Sequence, residues 1–320
     1  MAATAAPVSA LEWLLGADDP SVVFLARRDV LGEAVEPDAE RILAGPRVRA
    51  LLSGQQPDGG FGRHPYSKWT GAHWRLVSLV ELALPPGEPR ALAAAGTVLA
   101  WLTGKGHLRG VKVVDGLARR CASQEGNALA ACCRLGLAGD ERVELLARNL
   151  VAWQWPDGGW NCDLRASGYR SSFHESLAPA WGLHEYAAAT GASWAAGAAR
   201  RAAELFLEHR LFRSLRTGEL ANAAFLKLRY PAYWHYDVLQ ALLVLSRLGF
   251  ARDPRIGDAL DHVVAKRRPD GTWHADGYWW NPARSRTHPD VADWGRRGPN
   301  ELVTLNALRV LAAAGRPLQD

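Results

Sequence analysis

Gln154-Trp155-Pro156-Asp157-Gly158-Gly159-Trp160 is the stretch on which the fold turns. Proline sets φ for a turn, the aspartate carboxylate bonds a nearby backbone N–H, and glycine takes positive φ. The aromatic that follows is placed to pack the turn onto the next unit. The same chemistry occurs at Gln55-Gln56-Pro57-Asp58-Gly59-Gly60-Phe61 and at Arg267-Arg268-Pro269-Asp270-Gly271-Thr272-Trp273. Pro57 and Pro156 are 99 residues apart, and Pro156 and Pro269 are 113 apart. Both spacings are about twice fifty residues, a period typical of stacked supersecondary units. Two weaker turns, Gly104 to Gly110 and Arg213 to Gly218, fall between them.

The segments between turns read as helices. Alanine and leucine dominate, and apolar residues recur at i, i+3 and i+4. One set covers 40–53, 89–103, 140–153, 196–211 and 255–266, and a second covers 21–32, 68–84, 121–136, 172–189, 232–248 and 300–314. Gly, Pro and Asp punctuate the connections, as at Leu84-Pro85-Pro86-Gly87. No convincing period-2 strand is present. The expected architecture is all-α, six helical hairpins in one domain spanning 1–320.

The spacing Gln-x3-Gly-x-Trp/Phe resembles the QW-type motif of squalene-hopene and related terpene cyclases. Gln55 to Phe61 and Gln154 to Trp160 match it, while the third copy has Arg267 in place of glutamine. The resemblance, shared with protein prenyltransferase β-subunits, implies an α/α toroid (an α6/α6 barrel) with an inner and an outer ring of helices. It does not carry the cyclase acids over: Asp-x-Asp-Asp is absent, Asp18-Asp19 being an isolated pair, and so is Asp-Asp-x-x-Asp.

Composition narrows the function. With 48% hydrophobic and 22% charged residues, the chain has enough apolar material for a large core and is not disordered. Its 14 Trp suit stacked turns or an aromatic-lined pocket. A net charge of +5, with basic residues scattered apart from Lys266–Arg268 and Arg284–Arg297, argues against nucleic acid and fits an anionic small molecule. Cys121, Cys132, Cys133 and Cys162 form no C-x-x-C pair and no disulfide framework. The opening Met1 to Gly16 lacks a signal-peptide pattern, and no apolar run is long enough for a membrane span, so a cytoplasmic location is expected.

The second helix set carries polar residues near its N-terminal ends, on faces that should be buried. His73 lies with Leu76, Val77 and Val80, and His174 with Leu177, Ala178 and Trp181. Asp237 falls inside the expected 232–248 helix, in the dense run Tyr233-Trp234-His235-Tyr236-Asp237. Glu125 and Asn127 open another helix, and Glu301 aligns with Leu305 and Leu308. Parallel inner helices would gather these ends at one mouth, so the sequence predicts a polar pocket whose helix N-termini favour an anion. Asp237, His174, Glu125, His73, Glu301 and His235 are the candidate catalytic residues. Lys68, Arg63, Arg170, Trp69, Trp234, Tyr233 and Asn127 are the candidate substrate contacts, with Arg165 a further cation nearby.

Each has a structural alternative. Ser172-Phe173-His174-Glu175 has the form of a capping box, Glu301 suits a first helical turn, and His73 could be a hydrogen-bonded core histidine. The leading expectation is a lyase- or cyclase-type enzyme that expels an anionic leaving group from a small anionic or polar substrate. The alternatives are a toroid that only binds a ligand or a partner subunit, and a zinc-dependent, prenyltransferase-like transferase. The zinc of that family is held by Asp, Cys and His. Its Asp-x-Cys spacing is missing here, so no metal ligand is assigned, but Cys162 and His174 with His235 or Asp237 would offer a three-ligand zinc site.

Overall fold

The computed structural model describes residues 9–318. The helices are α1 (Ala10–Leu15), α2 (Pro20–Asp29), α3 (Ala39–Ala44), α4 (Pro46–Leu52), α5 (Ala72–Glu81), α6 (Pro89–Leu102) and α7 (Lys105–Leu108), followed by α8 (Ser123–Arg134), α9 (Glu141–Trp153), α10 (Phe173–Thr190), α11 (Ser193–Glu208), α12 (Val238–Arg247), α13 (Gly257–Ala265) and α14 (Glu301–Ala314). Their starts follow ordinary capping chemistry: Asp19, Asp38, Asp140, Asp237 and Asn300 each accept a backbone N–H from the first turn they cap.

Burial sorts the helices into two classes. In α9 the buried residues are Val143, Leu146, Ala147 and Leu150, a single stripe of an amphipathic helix. In α5 every residue from Ala72 to Val80 is buried, and α14 is buried from Leu302 to Leu311. A helix hidden on all sides has neighbours on all sides. Accordingly α5 packs on α8, α8 on α10, α10 on α12, α12 on α14, and α14 on α2. The α8–α10 crossing is the closest: a Cβ on Gly126 would sit 2.3 Å from Pro179 N, and one on Gly182 2.4 Å from Gly126 O.

The three turns share one construction. Gln55 Nε2 donates to Gly59 O and to Arg90 O of α6, and Gln154 Nε2 donates to Gly158 O and to Ala198 O of α11. Each turn therefore clasps a helix further along the chain, α6 for the first and α11 for the second. Gly59 and Gly158 have φ of +85° and +92°, and a Cβ there would lie 2.5 Å from Ala93 O and 2.4 Å from Arg201 O. In the third turn Gly271 abuts Ala10, so the clasped helix is α1. The aromatic then caps the helix it follows: Trp160 Nε1 donates to Leu150 O at 2.9 Å and Trp273 Nε1 to Val263 O at 2.7 Å. Their backbone N–H groups donate to Ser176 and Thr304, each the fourth residue of the helix that follows, α10 and α14. The Phe61 ring has no N–H to give. The fourth residue of α5 is Arg75, which lies 3.8 Å over the Phe61 ring and donates to the equivalent carbonyl, Leu51 O, at 2.8 Å.

Three expectations need correction. A short antiparallel hairpin does exist, β1 (Lys112–Val114) with β2 (Leu117–Arg119), joined through Asp115 and Gly116, both at positive φ. Asp-Gly is strong two-residue hairpin chemistry. The expected 40–53 helix is broken at Gly45-Pro46, where Pro46 starts α4. The expected 232–248 helix begins only at Val238, and residues 229–236 form a loop with Tyr233 at φ +54°.

Candidate functional site

That loop walls a small cavity of about 60 Å³ together with α5, α8, α10 and α12. Val77, Leu177, Ala178, Trp181 and Val244 give it an apolar body, and Tyr230 to His235 line it from the loop. The loop is tied down at Tyr233. Its ring stacks on Trp69 at 4.0 Å, its hydroxyl donates to Asp290, and its carbonyl accepts from Asn127 Nδ2 at 3.2 Å. Asn127 and Trp69 therefore hold the loop, and Asp290, pushed up to about 6 by burial, anchors it.

Three buried polar atoms of lining residues have no protein partner: Ser78 Oγ, Trp234 Nε1 and Gln240 Nε2. Buried polar groups are normally satisfied, so these three atoms are uncompensated in the protein alone. Two lining histidines add opposite polarity. His174 Nδ1 accepts the Tyr236 N–H at 2.8 Å, which leaves the proton on Nε2 as a donor. His235 Nδ1 lies 3.1 Å from Ala232 O, so Nδ1 carries the proton and Nε2 keeps its lone pair. The rings stand perpendicular with centroids 6.3 Å apart. Burial pulls His174 below the usual histidine range and takes His235 down to about 3. His235 is also clamped between Trp234 and Trp279, at 3.9 and 3.6 Å.

Charged side chains lie against the lining residues and among them. Lys68 Nζ lies 5.1 Å from the Trp234 ring and has no carboxylate partner among the described residues, and Arg229 covers Trp279 at 4.2 Å. Glu81 and Arg247, both lining residues, meet at 3.0 Å; Glu81 also meets Arg134 at 3.3 Å, and Arg134 meets Glu185. Burial alone would raise Glu81, but these two arginines hold it at about 2.

Of the sequence candidates, Asn127, His174, Tyr233, Trp234 and His235 line the cavity. The others lie elsewhere. Asp237 is not inside a helix: it is the buried N-cap of α12, accepting Gln240 N–H at 3.0 Å and pushed up to about 7 by burial. Glu301 pairs with Arg47, which also holds Asp19, so it joins α14 to α2 and α4. Glu125 is buried with His107 and Arg120. His73 sits among Tyr66, Trp74 and Trp101 with both ring nitrogens unpartnered and its pKa taken down to about 3 by burial. Arg63 bonds Thr70 and is exposed, Arg170 lies exposed over Tyr169, and Arg165 pairs with Asp163. Sequence reading missed Ser78, Glu81, Trp181, Gln240, Arg247 and Trp279. Glu81 and Arg247 carry a readable signal, a charge closing an apolar helix, whereas Gln240 carries none.

The expected zinc set also changes. Cys162 meets neither His174 nor Asp237; its neighbours are Cys121 and Glu175. Nor does Glu175 complete a capping box. Ser172 makes no side-chain cap bond, and Glu175 reaches across to accept Ser123 N–H at 3.0 Å on α8. Hydrogen bonding between the two thiols holds Cys121 below the ordinary thiol range and pushes Cys162 above it. No helix among the described residues is long and apolar enough to cross a membrane. No protein-family model matches the chain, and no curated protein matches it at a significant level.

Proposed function

We propose that this chain is a single-domain α/α toroid, with α2, α5, α8, α10, α12 and α14 as its inner ring, and that its central cavity is the active site of a lyase- or cyclase-type enzyme. The ring reading is supported by the helix pairs that return from α14 to α2 and by the third turn clasping α1. The observation that carries the functional reading is the pair of neutral histidines of opposite polarity, His174 and His235, lining one cavity whose body is Val77, Leu177, Ala178, Trp181 and Val244.

Such a chamber suits a small substrate with an apolar body and oxygen acceptors. The donors, His174 Nε2–H among them, would stabilise charge developing on a substrate oxygen. His235 Nε2 would accept a proton from an adjacent carbon. The released C–H electron pair would form the new bond as an anionic group left with its own pair, towards Lys68 and Arg229. No step requires a metal. The low basicity of His235 favours a second reading, a cavity that binds its ligand unchanged.

The test incubates wild-type protein, His174→Gln and His235→Phe with a metabolite extract, followed by native and small-molecule mass spectrometry. Wild type should retain a ligand and convert it, and each variant should bind it with turnover reduced about 10²–10⁴-fold. A ligand retained and never converted would establish the binding reading, and no retained ligand would sink both.

A further inference from the structure

Cys121, Cys162 and Glu175 come from three separate segments. The parallel bridge between Arg119 and Asn161, with Arg120 N donating to Asn161 O at 3.0 Å, lays the strand end beside the residues after the second turn. That brings the two thiols together. Glu175, in the first turn of α10, is fixed against them by the Ser123 N–H. Both sulfurs and a Glu175 oxygen lie within 4.8 Å of one another, and Cys162 Sγ is 3.7 Å from Glu175 Oε1. Ligand atoms of a tetrahedral zinc site stand roughly 3.8 Å apart, so the cluster is already near coordinating size.

The charge around the cluster is unbalanced. Glu175 is 6% exposed and has no cationic partner among the described residues. A buried carboxylate without a counter-charge is costly. Close by, Glu125 is fully buried. One of its oxygens is taken by His107 and Arg120, and the other, Oε2, bonds nothing. A disulfide would account for the two sulfurs but take the Cys162 S–H from Glu175, leaving that carboxyl with the Ser123 N–H alone. A cation answers all three groups.

We propose that Cys121, Cys162 and Glu175 bind a thiophilic divalent cation, with zinc the best match to two sulfurs and one oxygen and a fourth position left for water or an incoming ligand. Binding releases both thiol protons, so two thiolates and one carboxylate face a doubly charged ion. The site is independent of the central-cavity reading, and its test does not involve turnover.

Untagged, reduced protein is titrated with zinc and its metal content measured, beside Cys121→Ser, Cys162→Ser, Glu175→Gln and a control, Cys132→Ser in α8. Wild type and the control should bind one zinc per chain. Each serine variant should bind about 100-fold more weakly, and Glu175→Gln about 10-fold more weakly. Cobalt(II) titration of wild type needs no variant: it should give a thiolate-to-cobalt absorption band and protect Cys121 and Cys162 from alkylation. The proposal is overturned if reduced wild type takes up neither metal, if the serine variants bind as well as the control, or if cobalt leaves both cysteines alkylatable. Isolation as a Cys121–Cys162 disulfide that binds no zinc after reduction would likewise overturn it and reassign the pair to redox chemistry.

Discussion

Phe61 and Arg75 illustrate how one residue's chemistry is taken over by another. In two turns a tryptophan N–H closes the preceding helix and a hydroxyl on the inner helix receives the turn backbone; in the first, one guanidinium serves Leu51 O, Ser53 O and Thr70 O. Arg75→Thr should cost about 1–3 kcal/mol in urea unfolding, the penalty for stranding buried carbonyls. Adding Phe61→Trp should recover much of that loss by rebuilding the arrangement of the other turns. A double variant no more stable than the single one would show that the turns are not equivalent. The Gln-x3-Gly-x-aromatic spacing made these turns legible, but not the donor swap, because Arg75 is 14 residues beyond its aromatic. His73 and His174 were legible as a pair and occupy the same second position of α5 and α10. Only His174 reaches the cavity. The neighbours that separate them, Trp101 against the 229–236 loop, come from distant segments.

Helices were read well where a long periodic run had clear stops, as in α6, α9 and α14, whose bounds fall within a residue or so of expectation. The failures have local causes. Pro231 and the left-handed Tyr233 keep 229–236 out of α12, so Asp237 was read as a helix interior when it is a cap. The β-hairpin was overlooked because each strand has only three residues, too few to display alternation. The α8–α10 crossing is a property of two elements at once. Gly126→Ala should gain about 1 kcal/mol of helix propensity. Its new methyl, however, would meet the Pro179 backbone at 2.3 Å, and overpacking of that kind costs about 1–3 kcal/mol. Net destabilisation is expected in chemical denaturation, and a more stable variant would mean the two helices can separate at little cost.

Across the whole molecule, buried titrating groups set an acid limit. His73 protonates near 6.5 when unfolded and near 3 when folded, so the unfolded chain takes up the proton first and stability declines as pH falls from 6.5 towards 3. Glu81 moves from 4.5 to about 2, so its contribution is present above 4.5 and is lost as pH falls towards 2. Unfolding free energies between pH 8 and 3 should therefore fall in two overlapping stages. His73→Leu should reduce the upper one, leaving the part that His235, also taken from 6.5 to about 3, and His174 supply. Glu81→Gln should flatten the lower one while costing about 3–5 kcal/mol at pH 7, because Arg247 loses its partner and Arg134 keeps only Glu185. An unchanged upper stage in His73→Leu would remove His73 from this account. The fifty-residue period gave the sequence reading its hairpins, but not their closure. In the proposed ring, closure would rest on the Arg47 bridge from Asp19 to Glu301 and on Gly271 against Ala10. Local hairpin chemistry by itself builds an open spiral, which would accept another repeat at either edge. In the proposed ring this seam fixes the repeat number at six: an inserted hairpin would have to break it, whereas a longer loop elsewhere would not.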